Sequence, residues 1–164
     1  MEKDFIISNN GYCTKIFRFV PENTHVHSFN DNPPKDWKGV YKVYYSWQII
    51  IKDNEDNEEE VLLDFICDEC SEIPNLSGII EYVIKTGETF DYPTFGQPAA
   101  DWLIKKRTGF DDFENKPYEF YDFCVFNNCT GQGFKFILNK KETLKFCEYL
   151  DSINQYALEH GEGI

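Results

Sequence analysis

Basic residues are scarce in this sequence beside acidic ones. It holds 16 Lys and Arg against 29 Asp and Glu, and between Asp53 and Ile84 it has none at all. A dense anionic surface repels a nucleic-acid backbone and an anionic bilayer, both of which are themselves negative, and attracts basic partners. Long apolar runs are missing too. No stretch approaches the ~20 residues that a helical membrane span requires. Met1–Ser8 contains two acids and one apolar run of three residues, too short for the core of an export signal. The expected location is therefore the cytoplasm, where the six cysteines (Cys13, Cys67, Cys70, Cys124, Cys129, Cys147) remain reduced thiols.

Motifs of catalysis are also absent. There is no GxSxG, no HExxH, and no kinase or deaminase signature. Thr130-Gly131-Gln132-Gly133 lacks the Lys-Ser/Thr of a phosphate loop and joins strand to strand. The acids around Asp53–Glu60 lack the order and central glycine of an EF-hand. The sequence thus assigns no catalytic residue and no cofactor. At 164 residues the chain is long enough to bury roughly 70% of its unfolded surface. It is read as a single domain over residues 1–164 that needs neither disulfide nor metal to hold a core.

What is present is acid, and it is concentrated. Eleven acids (Asp53, Glu55, Asp56, Glu58, Glu59, Glu60, Asp64, Asp68, Glu69, Glu72, Glu81) give Asp53–Ile84 a charge of −11 out of a net −13. The rest of the chain is nearly balanced. Aromatic residues are the second excess, with 15 Phe, 10 Tyr and 3 Trp against one Met. Aromatics bury large areas per residue, and Tyr and Trp also serve at wet binding surfaces. An AT-rich coding sequence favours the same residues.

Periodicity sets out the elements. Phe5–Ser8 and Tyr12–Val20 read as strands joined by Asn9-Asn10-Gly11, a hairpin signal. Val40–Lys52 reads as a long strand that turns over Asp53–Glu58 and returns as Glu59–Cys67. Leu76, Ile79, Ile80, Val83 and Ile84 form a helical stripe over Leu76–Lys85, stopped by Gly87. A second helix is expected over Pro98–Thr108, with Lys105, Lys106 and Arg107 complementing its dipole and Gly109 ending it. Tyr118–Phe126 and Phe134–Leu138 read as a further hairpin. Asn139 and Glu142 have the spacing of a capping box that opens a last helix, whose buried side is Leu144, Cys147, Leu150, Ile153, Ala157 and Leu158. The fold class is α+β, a mainly antiparallel sheet with about three helices. Tyr44–Gly87 and Tyr118–Gly161 suggest two ββα-like halves.

Two chemistries are compatible with the side chains. Cys67-Asp68-Glu69-Cys70 sits between a strand and a helix. With Cys124 and Cys129 it would complete four thiolates for zinc, although the intervening acids disfavour a reactive dithiol. His25 and His27 point to one side of an extended chain and would serve a small metal-binding protein or enzyme together with Cys67 and Cys70. The favoured reading is a non-enzymatic binding or inhibitor protein. Its acidic surface (Asp53, Glu55, Asp56, Glu58, Glu59, Glu60, Asp68, Glu69, Glu72) docks on a basic surface of a partner, such as a nucleic-acid-binding protein or a toxin. Tyr44, Tyr45, Trp47, Phe65 and Tyr82 are the candidate aromatic anchors if exposed. In its general character this chain is similar to immunity proteins and to anti-defence proteins that mimic nucleic acid, a similarity of composition alone. Against it stands the plain alternative of a solvated hairpin that discourages edge-to-edge pairing.

Overall fold

A computed structural model describes residues 2–21, 41–42, 45–67, 72–92, 100–127, 130–160 and 162–163. The first half begins with β1 (Asp4–Asn9) and β2 (Cys13–Pro21), followed by a two-residue β3 (Tyr41–Lys42). Then come β4 (Tyr45–Asp53), β5 (Glu59–Cys67) and the helix α1 (Glu72–Thr86). The second half holds β6 (Phe90–Tyr92), β7 (Ala100–Asp111), β8 (Lys116–Asn127) and β9 (Gly133–Asn139), then the helix α2 (Lys140–His160) and β10 (Glu162–Gly163). Two four-stranded antiparallel sheets result, in the orders β1-β2-β4-β5 and β6-β7-β8-β9, and β10 pairs with β3. The α+β class holds, and each half is a meander capped by a helix, wider than the ββα units legible in sequence.

Local chemistry accounts for the element ends. Gly87 lies at φ 74° and donates its N–H to the Val83 carbonyl, closing the last turn of α1 as a left-handed cap does. At the start of α2 the capping box forms in both directions. Asn139 Oδ1 accepts from the Glu142 N–H at 2.8 Å, and Glu142 Oε1 accepts from the Asn139 N–H at 3.2 Å.

The region 98–108 corrects an expectation. Its described part, 100–108, is not helix but the first three quarters of β7, paired residue by residue with β8 from Ala100↔Asn127 to Asp111↔Lys116. Trp102 and Ile104 are buried while Lys105 and Arg107 are exposed, a period of two rather than 3.6. Propensity is overridden by a long partner strand. The three bases do not serve a dipole of their own helix. Lys106 instead caps another: its Nζ donates to the Ile84 carbonyl in the last turn of α1 at 3.0 Å. On α2, Leu144 is a second correction, being 44% exposed, while Thr143, Phe146 and Tyr149 join Cys147, Leu150 and Ile153 in the buried face. The side chains of Ala157 and Leu158 lie outside the described residues.

One continuous core joins both sheets and both helices. Phe17, Phe19, Trp47 and Ile49 come from the first sheet, and Leu76, Ile80 and Val83 from α1. Trp102, Tyr121, Phe123 and Phe136 come from the second sheet, and Phe146, Leu150 and Ile153 from α2. Edge-on ring contacts cross between the halves: Trp47–Trp102 at 5.6 Å and 74°, and Phe17–Phe146 at 5.4 Å and 80°. Such pairs contribute about 0.5–1.5 kcal/mol beyond the area they bury. Tyr149 ties the N-terminus to α2, its hydroxyl donating to the Lys3 carbonyl at 2.5 Å and accepting from the Phe19 N–H at 3.1 Å. Burial raises its pKa well above the usual phenol value.

Candidate functional site

The acidic stretch folds into the β4–β5 hairpin. A five-residue loop, Asn54–Glu58, joins the strands, and Asn57 within it stands at φ 60°, a left-handed conformation that Asn tolerates better than most residues. Asp53 organises the turn: its Oδ1 accepts from the N–H groups of Glu55 (2.8 Å) and Asp56 (3.3 Å). Asp56 Oδ1 accepts from the Glu58 N–H at 2.8 Å. Two of the acids are thus turn-forming side chains, as expected of Asp beside a bend. The tip is braced by the β1–β2 turn. Asn54 donates its N–H to the Tyr12 carbonyl (2.9 Å), its Oδ1 accepts from the Thr14 hydroxyl (2.7 Å), and its Nδ2 donates to Asn9 Oδ1 (3.0 Å).

Glu59 has a different task. Arg18 holds its carboxylate through two hydrogen bonds of 2.7 and 3.0 Å and holds Asp4 through two more of 2.6 and 2.9 Å. These forked pairs are the strong kind. They drive the Arg18 pKa further up and hold the Glu59 carboxyl below its ordinary value. By register, the row Ile16–Ile50–Val61 lies between those of Arg18 and Glu59. The Arg18–Glu59 bridge therefore crosses Ile16 and Ile50, two isoleucines buried on the face opposite Phe17 and Ile49. Glu59 helps to close that face.

Glu55, Glu58 and Glu60 remain. All three are exposed, and among the described residues none has a hydrogen bond or ion pair to its carboxylate. Asp64 is exposed on β5 and Glu81 on α1. Asp68 and Glu69 lie outside the described residues, as does the side chain of Glu72 at the start of α1. The contrast with the second half is marked. There acids and bases interleave: Arg107–Asp122 at 2.9 Å, Lys135–Asp122 at 3.8 Å, Lys106–Glu119 at 3.1 Å and Lys140–Glu119 at 3.8 Å. Among the described residues Arg18 is the only base in an ion pair with the acidic hairpin, and Lys52, opposite Glu59 in the register, is the one other base that acts on it.

Of the candidate anchors, Trp47 is overturned, because it is buried against Phe17 and Trp102. Tyr82 is about half exposed, and its hydroxyl donates to Glu88. Tyr44 and the side chains of Tyr45 and Phe65 lie outside the described residues. So do His25, His27, Cys70, Cys129 and the side chain of Cys67. Among the described residues the free thiols Cys13, Cys124 and Cys147 sit on β2, β8 and α2, and no group of three potential metal ligands occurs. Burial raises the pKa of Cys124 and pushes that of Cys147 up to about 12, which keeps both protonated and unreactive at neutral pH. None of the helices described is long and apolar enough to cross a membrane.

Sequence reasoning passed over a second turn of the same construction, 58 residues on. Asp111 Oδ1 accepts from the N–H groups of Phe113 (2.9 Å) and Glu114 (3.2 Å), and Asn115 stands at φ 53°. The legible signal is the spacing D-x-x-[DE]-N, present as Asp53-Asn54-Glu55-Asp56-Asn57 and as Asp111-Asp112-Phe113-Glu114-Asn115. Here the residue in the place of Glu55 is Phe113, whose ring is fully exposed. No family model, no curated protein and no solved structure matches the chain.

Proposed function

We propose that this chain is a non-enzymatic binding or inhibitor protein that docks its acidic hairpin on a basic surface of a partner protein, in the manner of an immunity protein or a nucleic-acid-mimicking anti-defence protein. The observation that carries the reading is the trio Glu55, Glu58 and Glu60, exposed and unpaired on a braced turn within a stretch that has no base. Bracing fixes where the carboxylates stand before the partner arrives, which lowers the ordering cost of association. A fixed anionic cluster steers a basic surface toward it and rejects acidic competitors. Its influence is screened over about 8 Å at physiological salt.

The test is the triple substitution Glu55→Lys, Glu58→Lys, Glu60→Lys in the full chain. It leaves Asp53, Asp56 and the Arg18–Glu59 bridge in place, so the hairpin should still form. Partner capture from the native cells should be lost, and the wild-type association rate should fall steeply with added salt. A variant that keeps its melting temperature and captures the same partner equally well would refute the proposal.

A further inference from the structure

Among the described residues the β7–β8 hairpin differs from the other hairpins in how far it extends. β6 pairs with β7 only over Trp102–Ile104, and β9 pairs with β8 only from Phe120 onward. Beyond those limits, residues 105–119 form a two-stranded ribbon that no third strand flanks among the described residues. Such ribbons are marginal in water unless one face is covered. This one instead carries aromatic side chains outward. Phe113 at the tip is 100% exposed, Phe110 54% and Tyr118 39%, and Phe120 just beyond the ribbon's base is 38% exposed. Tyr118 lies flat across Gly109, where a Cβ would meet its hydroxyl at 2.4 Å, and packs against Phe120 at 5.8 Å between centroids. The strands are thus stiffened by their own side chains, while none of the described residues covers Phe113.

We infer that the β7–β8 ribbon is an insertion finger that places Phe113 in an apolar pocket with a basic rim on a partner protein. The ring supplies the anchor, since a single aromatic seated in a desolvated pocket dominates many interfaces. The rim follows from charge. Asp111, Asp112 and Glu114 flank Phe113 in the chain, and although Lys116 pairs with Glu114 at 2.5 Å the tip keeps a net charge of −2. The same charge argues against an anionic bilayer, which attracts Lys and Arg instead. Among the described residues, a groove of about 590 Å³ between β1 and α2 makes a second copy a poor acceptor there, because Glu2, Asp4, Glu142 and Glu148 line it against Lys145 and repel an acidic tip. This inference does not depend on the acidic β4–β5 hairpin and is tested apart from it.

The experiment places the photo-crosslinker p-benzoylphenylalanine at position 113 of the full chain in its native cells, and at position 144 as an exposed control. One protein should crosslink from 113 and not from 144. That protein, purified, should bind the full chain with a dissociation rate that Phe113→Ala raises at least tenfold and Leu144→Ala leaves unchanged. The melting temperature of Phe113→Ala should match the wild type. The triple Lys variant of the acidic hairpin should leave this dissociation rate alone, so the two proposals fail separately. Crosslinks confined to another copy of the chain would overturn the inference. So would retention on phosphatidylserine vesicles that Phe113→Ala abolishes, the absence of a crosslink specific to 113, or binding that Phe113→Ala does not weaken.

Discussion

The β4–β5 and β7–β8 hairpins share a turn and differ in everything built on it. Each has Asp at the last strand position accepting two N–H groups, and Asn in the left-handed conformation four residues later. They occupy different places in their sheets, one at the end of a meander and the other in the middle, so the likeness is local turn chemistry. On the first, the β1–β2 turn braces the tip and the loop projects carboxylates. On the second, the strands run past their neighbours and the loop projects an aromatic ring. A turn that satisfies its own backbone leaves its outward positions free of structural duty. Such positions are the ones in which charge or apolarity calls for an explanation outside the fold.

The comparison presupposes that both hairpins spring from one core, and that is where the largest effect lies. Trp102→Ala removes a ring packed on Phe17 and Trp47 across the two sheets and should cost about 3–5 kcal/mol. Urea unfolding followed by near-UV and far-UV circular dichroism should show one coincident transition at lower midpoint. If the first half instead melted separately at an unchanged midpoint, the two hairpins would belong to independent units.

Next comes the bridge that sets Glu59 apart from its acidic neighbours. Arg18→Ala should cost about 1–2 kcal/mol, because it frees two carboxylates and uncovers Ile16 and Ile50. Glu59→Gln, at a partly exposed site, should cost about 0.5–1 kcal/mol at neutral pH. The sign with pH follows from the depressed Glu59 pKa. Its contribution is full above the ordinary carboxylate value of 4.5 and is lost as pH falls through the folded-state value. The melting temperatures of wild type and Glu59→Gln should therefore converge in acid. At neutral pH the corresponding Glu55→Gln variant, at an exposed carboxylate with no ion pair among the described residues, should match the wild type.

These cases show what was legible. Charge is readable in one dimension, so the acidic hairpin and its turn at Asp53–Glu58 could be placed from sequence. The division of labour within it could not, because Arg18 lies 41 residues from Glu59 and meets it only through the sheet. The capping box of Asn139 and Glu142 is local and was readable for that reason. Trp102 to Arg107 was misread because Pro98, a basic run and Gly109 imitate the two ends of a helix. The deciding influence was β8, a partner that no local window contains. The ribbon tip was missed because an exposed Phe and a buried Phe look the same in a sequence. Only the D-x-x-[DE]-N spacing announced a turn there.

The shared turn can itself be tested. Asn57→Ala and Asn115→Ala each place a residue with no side-chain amide in the left-handed region, at about 1 kcal/mol apiece. Asn57→Gly and Asn115→Gly should be near neutral. Equal losses at the two sites would sharpen the equivalence. A much larger loss at Asn57 would mean that its bracing by the β1–β2 turn leaves that loop less able to adjust.

The smallest expected effect separates fold from function most cleanly. Phe113 is fully exposed and covered by none of the described residues, so Phe113→Ala should change stability by less than about 0.5 kcal/mol. Its effect at the tip should resemble that of Glu55→Ala at the equivalent place on the acidic hairpin. Thermal unfolding of the two variants beside the wild type would check this. A loss of 1 kcal/mol or more at Phe113 would mean that the ring is packed in the folded protein, and the ribbon would then be part of the core rather than a finger. A neutral result assigns any loss of binding in Phe113→Ala to the partner alone, because the fold would have been shown not to use the ring.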